Sequence, residues 1–187
     1  MLRKIEVVPY NPKWREEFKK AKQFYQGLLK NLDVQIEHVG STSIVGLYEK
    51  PILDIDIIVD DETTKGIVIR KLESAGYKHL GTMGVDGREA FSYSIDHPNI
   101  TWMAHHLYVC MEGSINLKNH LLLKNYLKNN KEAVQKYSQL KLELAKKFPN
   151  DIDGYIDGKT DLINSFLEKE GMALESLEAI GKINKKQ

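Results

Sequence analysis

The chain reads as an α+β fold: a mixed β-sheet with flanking helices, followed by a C-terminal helical segment. Three observations predict it. A helical apolar period precedes the first strand-like segment, short β-branched runs fill residues 34–110, and helical periods return from residue 117 onward. Strands grouped between helices in this way argue against a doubly wound parallel sheet.

The first helix is expected over residues 12–32. Trp14, Phe18, Ala21, Tyr25, Leu28 and Leu32 recur at threes and fours, while Lys and Glu occupy the other face. Asn11 before Pro12 is a start signal, because the Asn side chain caps and Pro suits the first turn. Strands are expected over residues 34–39, 51–59, 77–80, 89–95 and 101–110, with a helix over 61–75 stopped by Gly76. The turn Asp96-His97-Pro98-Asn99 predicts that the last two strands form an antiparallel hairpin. Residues 117–129, 132–148 and 153–169 each carry an apolar stripe, and Pro149-Asn150 separates the last two. Residues 171–187 read as a short helix or a frayed tail.

At 187 residues, 42% of them hydrophobic and 28% charged, the chain is long enough to bury a core without disulfides or a structural metal. Residues 1–112 are expected to form an α/β core and 113–187 a helical segment packed on it, one compact domain overall. With 27 basic against 26 acidic residues, the balance argues against wholesale disorder and against a coat for nucleic acid. Residues 116–148 are basic and 149–181 acidic, so the expectation is that these helices lie side by side. A basic face for RNA is the rival, and it lacks interleaved aromatics. Cys110 stands alone, which excludes an internal disulfide and a cysteine-based zinc cluster. No apolar run approaches the roughly 18 residues of a transmembrane helix, and the N-terminus turns charged too early for a signal peptide. A cytoplasmic location is the default expectation.

The chemistry concentrates in His38-Val39-Gly40-Ser41-Thr42-Ser43 and the following Lys50-Pro51-Ile52-Leu53-Asp54-Ile55-Asp56. On the second segment Leu53, Ile55, Ile57 and Val59 form an apolar face, while Ile52, Asp54, Asp56 and Ile58 share the other. Two Asp on one strand face lie ~7 Å apart and repel unless water or a cation intervenes. A hard divalent ion such as Mg²⁺ wants this oxygen set and recruits substrate phosphates for the rest. A half-solvated strand is the alternative; the flanking Ile52 and Ile58 favour a site. Gly40 permits close approach, and Ser41, Thr42 and Ser43 offer hydroxyls beside amides that could cradle phosphate. A plain helix cap is the alternative there.

Gly-Ser, a spacer, then Asp-x-Asp in an apolar strand resembles the signature of the nucleotidyltransferase-fold superfamily. Residues 38–43, Gly46-Leu47, Lys50-Pro51, Asp54, His106-Leu107-Tyr108-Val109 and the Tyr155-to-Lys159 spacing more closely resemble the GrpB family, over residues 5–167. The resemblance implies a nucleotidyltransferase-like core and Mg²⁺-assisted transfer of a nucleotidyl or related phosphoryl group to a small-molecule or protein acceptor. Asp54 and Asp56 would hold the metal. Gly40, Ser41, Thr42, Ser43, Lys50, Arg88, Tyr155 and Lys159 would meet a nucleoside triphosphate or coenzyme-like molecule. Active members of the superfamily present a third carboxylate from a later strand; here His106 takes that position, as proton acceptor or extra ligand. The alternative is a non-catalytic nucleotide- or coenzyme A-related binding module. His105 and His106 are adjacent on a strand and are expected on opposite faces. The Gly-rich residues 81–87 before Arg88 read as a flexible lid. No membrane partner is expected, a nucleic-acid partner is disfavoured, and the oligomeric state is left open.

Overall fold

A computed structural model describes residues 4–94, 97–173 and 176–177. Its elements, in order, are α1 (Lys13–Leu28), β1 (Gln35–Val39), a 3₁₀ turn (Ser41–Ser43), β2 (Leu53–Val59), α2 (Glu62–Ser74), β3 (Lys78–His79), β4 (Arg88–Ser92), β5 (His105–Met111), α3 (Ile115–Asn129), α4 (Lys131–Lys147) and α5 (Ile152–Lys169). The strands form one sheet in the order β1-β2-β5-β4-β3. β2 and β5 run parallel and the other pairs antiparallel, which makes the sheet mixed.

Local chemistry sets the ends. Asp61, Ser114, Asn130 and Asp151 each accept a backbone N–H from the first turn of α2, α3, α4 and α5. Asn11 Oδ1 accepts from Lys13 N–H (3.0 Å) at the start of α1. α1 stops at Leu28, four residues before its apolar period does, and Asn31 adopts a positive φ of 71°. β5 begins at His105 rather than residue 101. Trp102 is buried and Met103 N–H donates to Glu17 Oε2 (2.8 Å), so side chains satisfy this stretch instead of a ladder. The expected end of the fourth strand at Ile95, the turn residue Asp96, and residues 174–175 and 178–187 of the tail lie outside the described residues.

Apolar side chains pack on both faces of the sheet. Leu53, Ile55, Ile57 and Val59 pack with Leu107 and Val109 against Trp14, Ala21 and Tyr25 of α1 and Val68 and Leu72 of α2. On the other face Ile58 and Cys110 meet Leu117 of α3. α5 packs against both α3 and α4. Among the described residues no ion pair links α5 to its basic neighbours, so apolar contact such as Phe166 on Tyr126 and Tyr137 joins them. Among the described residues no helix is long and apolar enough to cross a membrane.

Two buried polar groups tie distant parts together. The Lys141 ammonium on α4 has no exposed surface and pairs with Glu49, in the segment before β2, and with Ser41 Oγ. Burial alone would raise the Glu49 carboxyl, but Lys141 and Lys159 outweigh it and pull it down to about 2. Beneath the sheet, His105 Nδ1 accepts from Trp102 Nε1–H (3.1 Å), and its Nε2 faces the hydroxyls of Tyr77 (3.0 Å) and Tyr25 (3.2 Å). Burial pushes His105 down to about 4, and it does the same to His38 against an opposing pull from Asp54.

Lys141→Met takes the ammonium from the buried Glu49 carboxylate, leaving the Lys50 N–H (2.7 Å) on Oε1, and is expected to lose on the order of 3–5 kcal/mol in urea denaturation. Glu49→Leu/Lys141→Met, which removes both charges, is expected to lose much less; equal losses would refute the account. The two histidines set an acid limit. Their folded values lie below the ordinary 6.5, so their neutral forms stabilise the protein above that value. The urea midpoint is therefore expected to fall as pH drops from 6.5 through about 4, and a flat midpoint over that window would contradict it.

Candidate active site

Register decides which side chains share the site face. Across the parallel pair Asp54 lies beside His106 and Asp56 beside Tyr108. Across the antiparallel pair Val39 lies beside Asp54 and Glu37 beside Asp56. His105 points into the aromatic core, so the two adjacent histidines do face opposite ways.

The Asp54 carboxylate is 30% exposed, and His106 Nδ1–H donates to its Oδ1 at 2.8 Å. With Nδ1 donating, the neutral His106 ring carries its lone pair on Nε2, and the side chain is 49% exposed. The Gly40 backbone abuts the same carboxylate. A Cβ built on Gly40 would stand 2.1 Å from Asp54 Oδ2, and φ of 65° with ψ of −173° is a conformation only glycine adopts readily. The turn and the first Asp therefore converge.

Asp56 is different. It is fully buried, and His120 Nδ1–H of α3 donates to its Oδ2 at 2.7 Å. Burial alone would lower the His120 imidazole, but the adjacent Asp56 charge reverses this and holds it above its ordinary value. Four residues on, Lys124 Nζ donates to Glu37 Oε2 (2.7 Å). α3 thus lies over the carboxylate row of β1 and β2, pinned by a histidine and a lysine one turn apart.

The hydroxyls of the turn are divided. Ser41 Oγ meets the Lys141 ammonium. Ser43 Oγ donates to Gly40 O (2.6 Å), closing the turn. Thr42 does not offer its hydroxyl to the cleft: it is fully buried, with Oγ1 2.9 Å from His38 Nε2. The amides of Ser43 and Ile44 bond back to Gly40 O and Ser41 O. Those of Ser41 and Thr42 have no hydrogen-bond partner among the described residues.

Lys50 and Lys159 share one aromatic ring. Their Nζ atoms lie 5.5 and 4.5 Å from the centroid of Tyr155, which is buried with an unpartnered hydroxyl. Burial lowers Lys159 to about 8, with Lys141 and Lys50 adding to the effect and Glu49 opposing it.

Arg88 and the 81–87 loop correct the expectation. Arg88 pairs with Cys110, hence level with Ile58, roughly 13 Å along β2 from Asp54 at about 3.3 Å per residue. It is buried, with its guanidinium 4.5 Å over the Tyr108 ring and Nε unpartnered. Antiparallel pairing of β4 also carries residues 81–87 to the end of the sheet away from Gly40. Val85, 2% exposed, anchors that loop, so it does not overhang Asp54.

The donor set fits a hard divalent cation in part. Asp54 is accessible, and Asp56 Oδ1 is buried without any partner. Among the described residues no group of three His, Cys, Asp or Glu is arranged to hold a metal, so further ligands would be phosphate oxygens and water.

Sequence reasoning missed Lys141, Glu49, His120 and Glu37. A signal existed for two of them. Lys141 interrupts the buried stripe Val134, Tyr137, Ser138, Leu144, and His120 sits in the stripe of Leu117 and Leu127.

The fold recurs in known proteins. The conserved protein GrpB from Enterococcus faecalis superposes with a TM-score of 0.74 at 29% identity, covering 94% of this chain and 99% of that one. The Cid1 poly(U) polymerase with MgGTP bound superposes with a TM-score of 0.53 at 16% identity, over 75% of this chain and 44% of its own. At that identity the likeness is one of fold, which is nucleotidyltransferase-like. The glutamate-rich protein GrpB of Alkalihalophilus pseudofirmus is 31% identical over 168 residues, covering 88% of this chain and 95% of that protein. UPF0157 protein YqkA of Bacillus subtilis is 31% identical over 163 residues, 87% of this chain, and the chain spans only 46% of it. Since the GrpB protein family matches residues 4–169, nearly the whole described fold, the chain belongs to that family.

Proposed function

We propose that the protein is a Mg²⁺-dependent nucleotidyltransferase, moving a nucleotidyl or related phosphoryl group to a small-molecule or protein acceptor. The observation that carries this reading is the Asp54 carboxylate abutting the Gly40-Ser41 turn, with His106 hydrogen-bonded behind it. Asp54 and the unpartnered Asp56 Oδ1 would hold the metal, which supplies charge neutralisation to the phosphates in an in-line displacement. The Ser41 amide and the ammonium groups of Lys50 and Lys159 would hold the polyphosphate. The acceptor oxygen or nitrogen forms a bond to the α-phosphorus while the bond to pyrophosphate breaks, and the acceptor proton passes to His106 Nε2. Asp54 fixes the tautomer that leaves this nitrogen basic.

A second reading is a nucleotide- or coenzyme-binding module without turnover. It is favoured by the buried pairing of Asp56 with His120 and by the lack, among the described residues, of a third metal-ligating group.

Incubation of the protein with Mg²⁺, a labelled nucleoside triphosphate and cell extract separates the two. The transferase reading expects label on an acceptor, lost by about a hundredfold or more in Asp54→Asn. Binding without transfer supports the module. No rise in melting temperature with any nucleotide and Mg²⁺ would sink both, since saturating ligand adds about 2.7 kcal/mol at a hundred times its dissociation constant. Gly40→Ala tests the convergence itself. It is expected to lose on the order of 1–3 kcal/mol of stability and to abolish nucleotide binding, because its methyl takes the space of Asp54 Oδ2. Unaltered binding by a folded Gly40→Ala protein would separate the turn from the site.

A further inference from the structure

Lys50 also lines a cavity of about 330 Å³ whose other walls the transfer chemistry does not use, near the lower end of small-molecule sites. Three separate segments build it: residues 4–6, residues 50–52 just before β2, and the entrance to α5. Ile5 N–H donates to Pro149 O (2.8 Å), holding the first against the third. The Ile5 side chain is buried in a cluster with Leu144 and Tyr155, so the cavity adjoins the ring that carries Lys50 and Lys159.

Its lining combines apolar side chains with two cations and one acid. Pro51, Ile52 and Ile152 line it, and Ile152 is 44% exposed. Lys4 and Lys50 face a single acid, Glu6. Among the described residues Lys50 and Lys159 form no ion pair and rest on an aromatic face instead. Two lysines against one acid beside an apolar hollow match a ligand that is apolar at one end and anionic at the other. Ile52, which lines the cavity, stands two residues before Asp54 in the chain.

We propose that this cavity binds a small amphipathic anion, its alkyl or aryl body among Ile52, Pro51 and Ile152 and its carboxylate or phosphate against Lys50. Assigning that molecule the role of acceptor rests on the transferase reading; its binding does not.

The probes are hexanoate, hexyl phosphate, hexanol and acetate, titrated into the full chain while the isoleucine methyl resonances are followed by NMR. Hexanoate or hexyl phosphate is expected to shift the Ile52 and Ile152 methyls saturably, and the tighter of the two identifies the head group. Hexanol and acetate, each lacking one half, are expected to bind at least about tenfold more weakly. Ile152→Glu, a tolerated acid at a helix N-terminus, is expected to abolish the shift at Ile52 with little change in melting temperature. Lys50→Met is expected to weaken the anions about tenfold and leave hexanol unchanged. Equal binding of hexanol and hexanoate, no saturable shift, or full binding to Ile152→Glu overturns the proposal. Hexanoate binding in a protein that takes no nucleotide keeps the cavity and removes only the transferase reading. Nucleotide binding without hexanoate does the reverse.

Discussion

A lysine ammonium with no exposed surface, wedged between Ser41 and Glu49, constrains much of the rest of this protein. It projects from α4 and grips the turn that faces Asp54. The helical segment is therefore part of the site, because the glycine-serine bend is held from outside the sheet. A buried ion pair is weak evidence for stability, since two charges must be desolvated. Its use here is positional. One ammonium fixes where Ser41 sits and where the chain enters β2, and a displaced turn would no longer abut Asp54.

The two aspartates separate by environment. Asp54 stays partly wet, with an exposed imidazole as partner, whereas Asp56 is sealed beneath α3 with His120. In each pair the imidazole N–H donates to the carboxylate, so each Asp has a hydrogen-bond partner of its own on the strand face. This explains how two Asp on one face of a central strand are compatible with the fold. It also assigns them unequal work: Asp54 can reach a ligand, while Asp56 offers one orphaned oxygen from below.

Much of this was legible in the sequence where the deciding chemistry is local. The alternation of Leu53, Ile55 and Ile57 with Asp54 and Asp56 placed the carboxylates on one face, and Asp61, Pro149 and Gly76 marked the helix boundaries they occupy. What was hidden depends on partners far along the chain. Lys141 meets Glu49 across 92 positions and His120 meets Asp56 across 64, and no periodicity encodes such pairs. Thr42 was misread because its hydroxyl answers to His38 on the core side rather than to the cleft. Arg88 and the 81–87 loop went astray through strand direction. An antiparallel β4 delivers its first residue to the end of β5, away from the turn.

The same register argument gives the site a direction. The turn, Lys50, Tyr155 and Lys159 gather at the start of β2, while Arg88, Cys110 and Ile58 mark its far end. Along the strand between them the face runs from accessible Asp54 to sealed Asp56. At the end beside Gly40, Lys50 and Lys159 rest on the Tyr155 ring and form no ion pair among the described residues. The far end, with its guanidinium stacked on Tyr108 and its thiol pushed upward by burial, behaves as packed interior. The polarity of this small site follows from one parallel strand pair set among antiparallel neighbours, which places every donor and acceptor at a known step along β2.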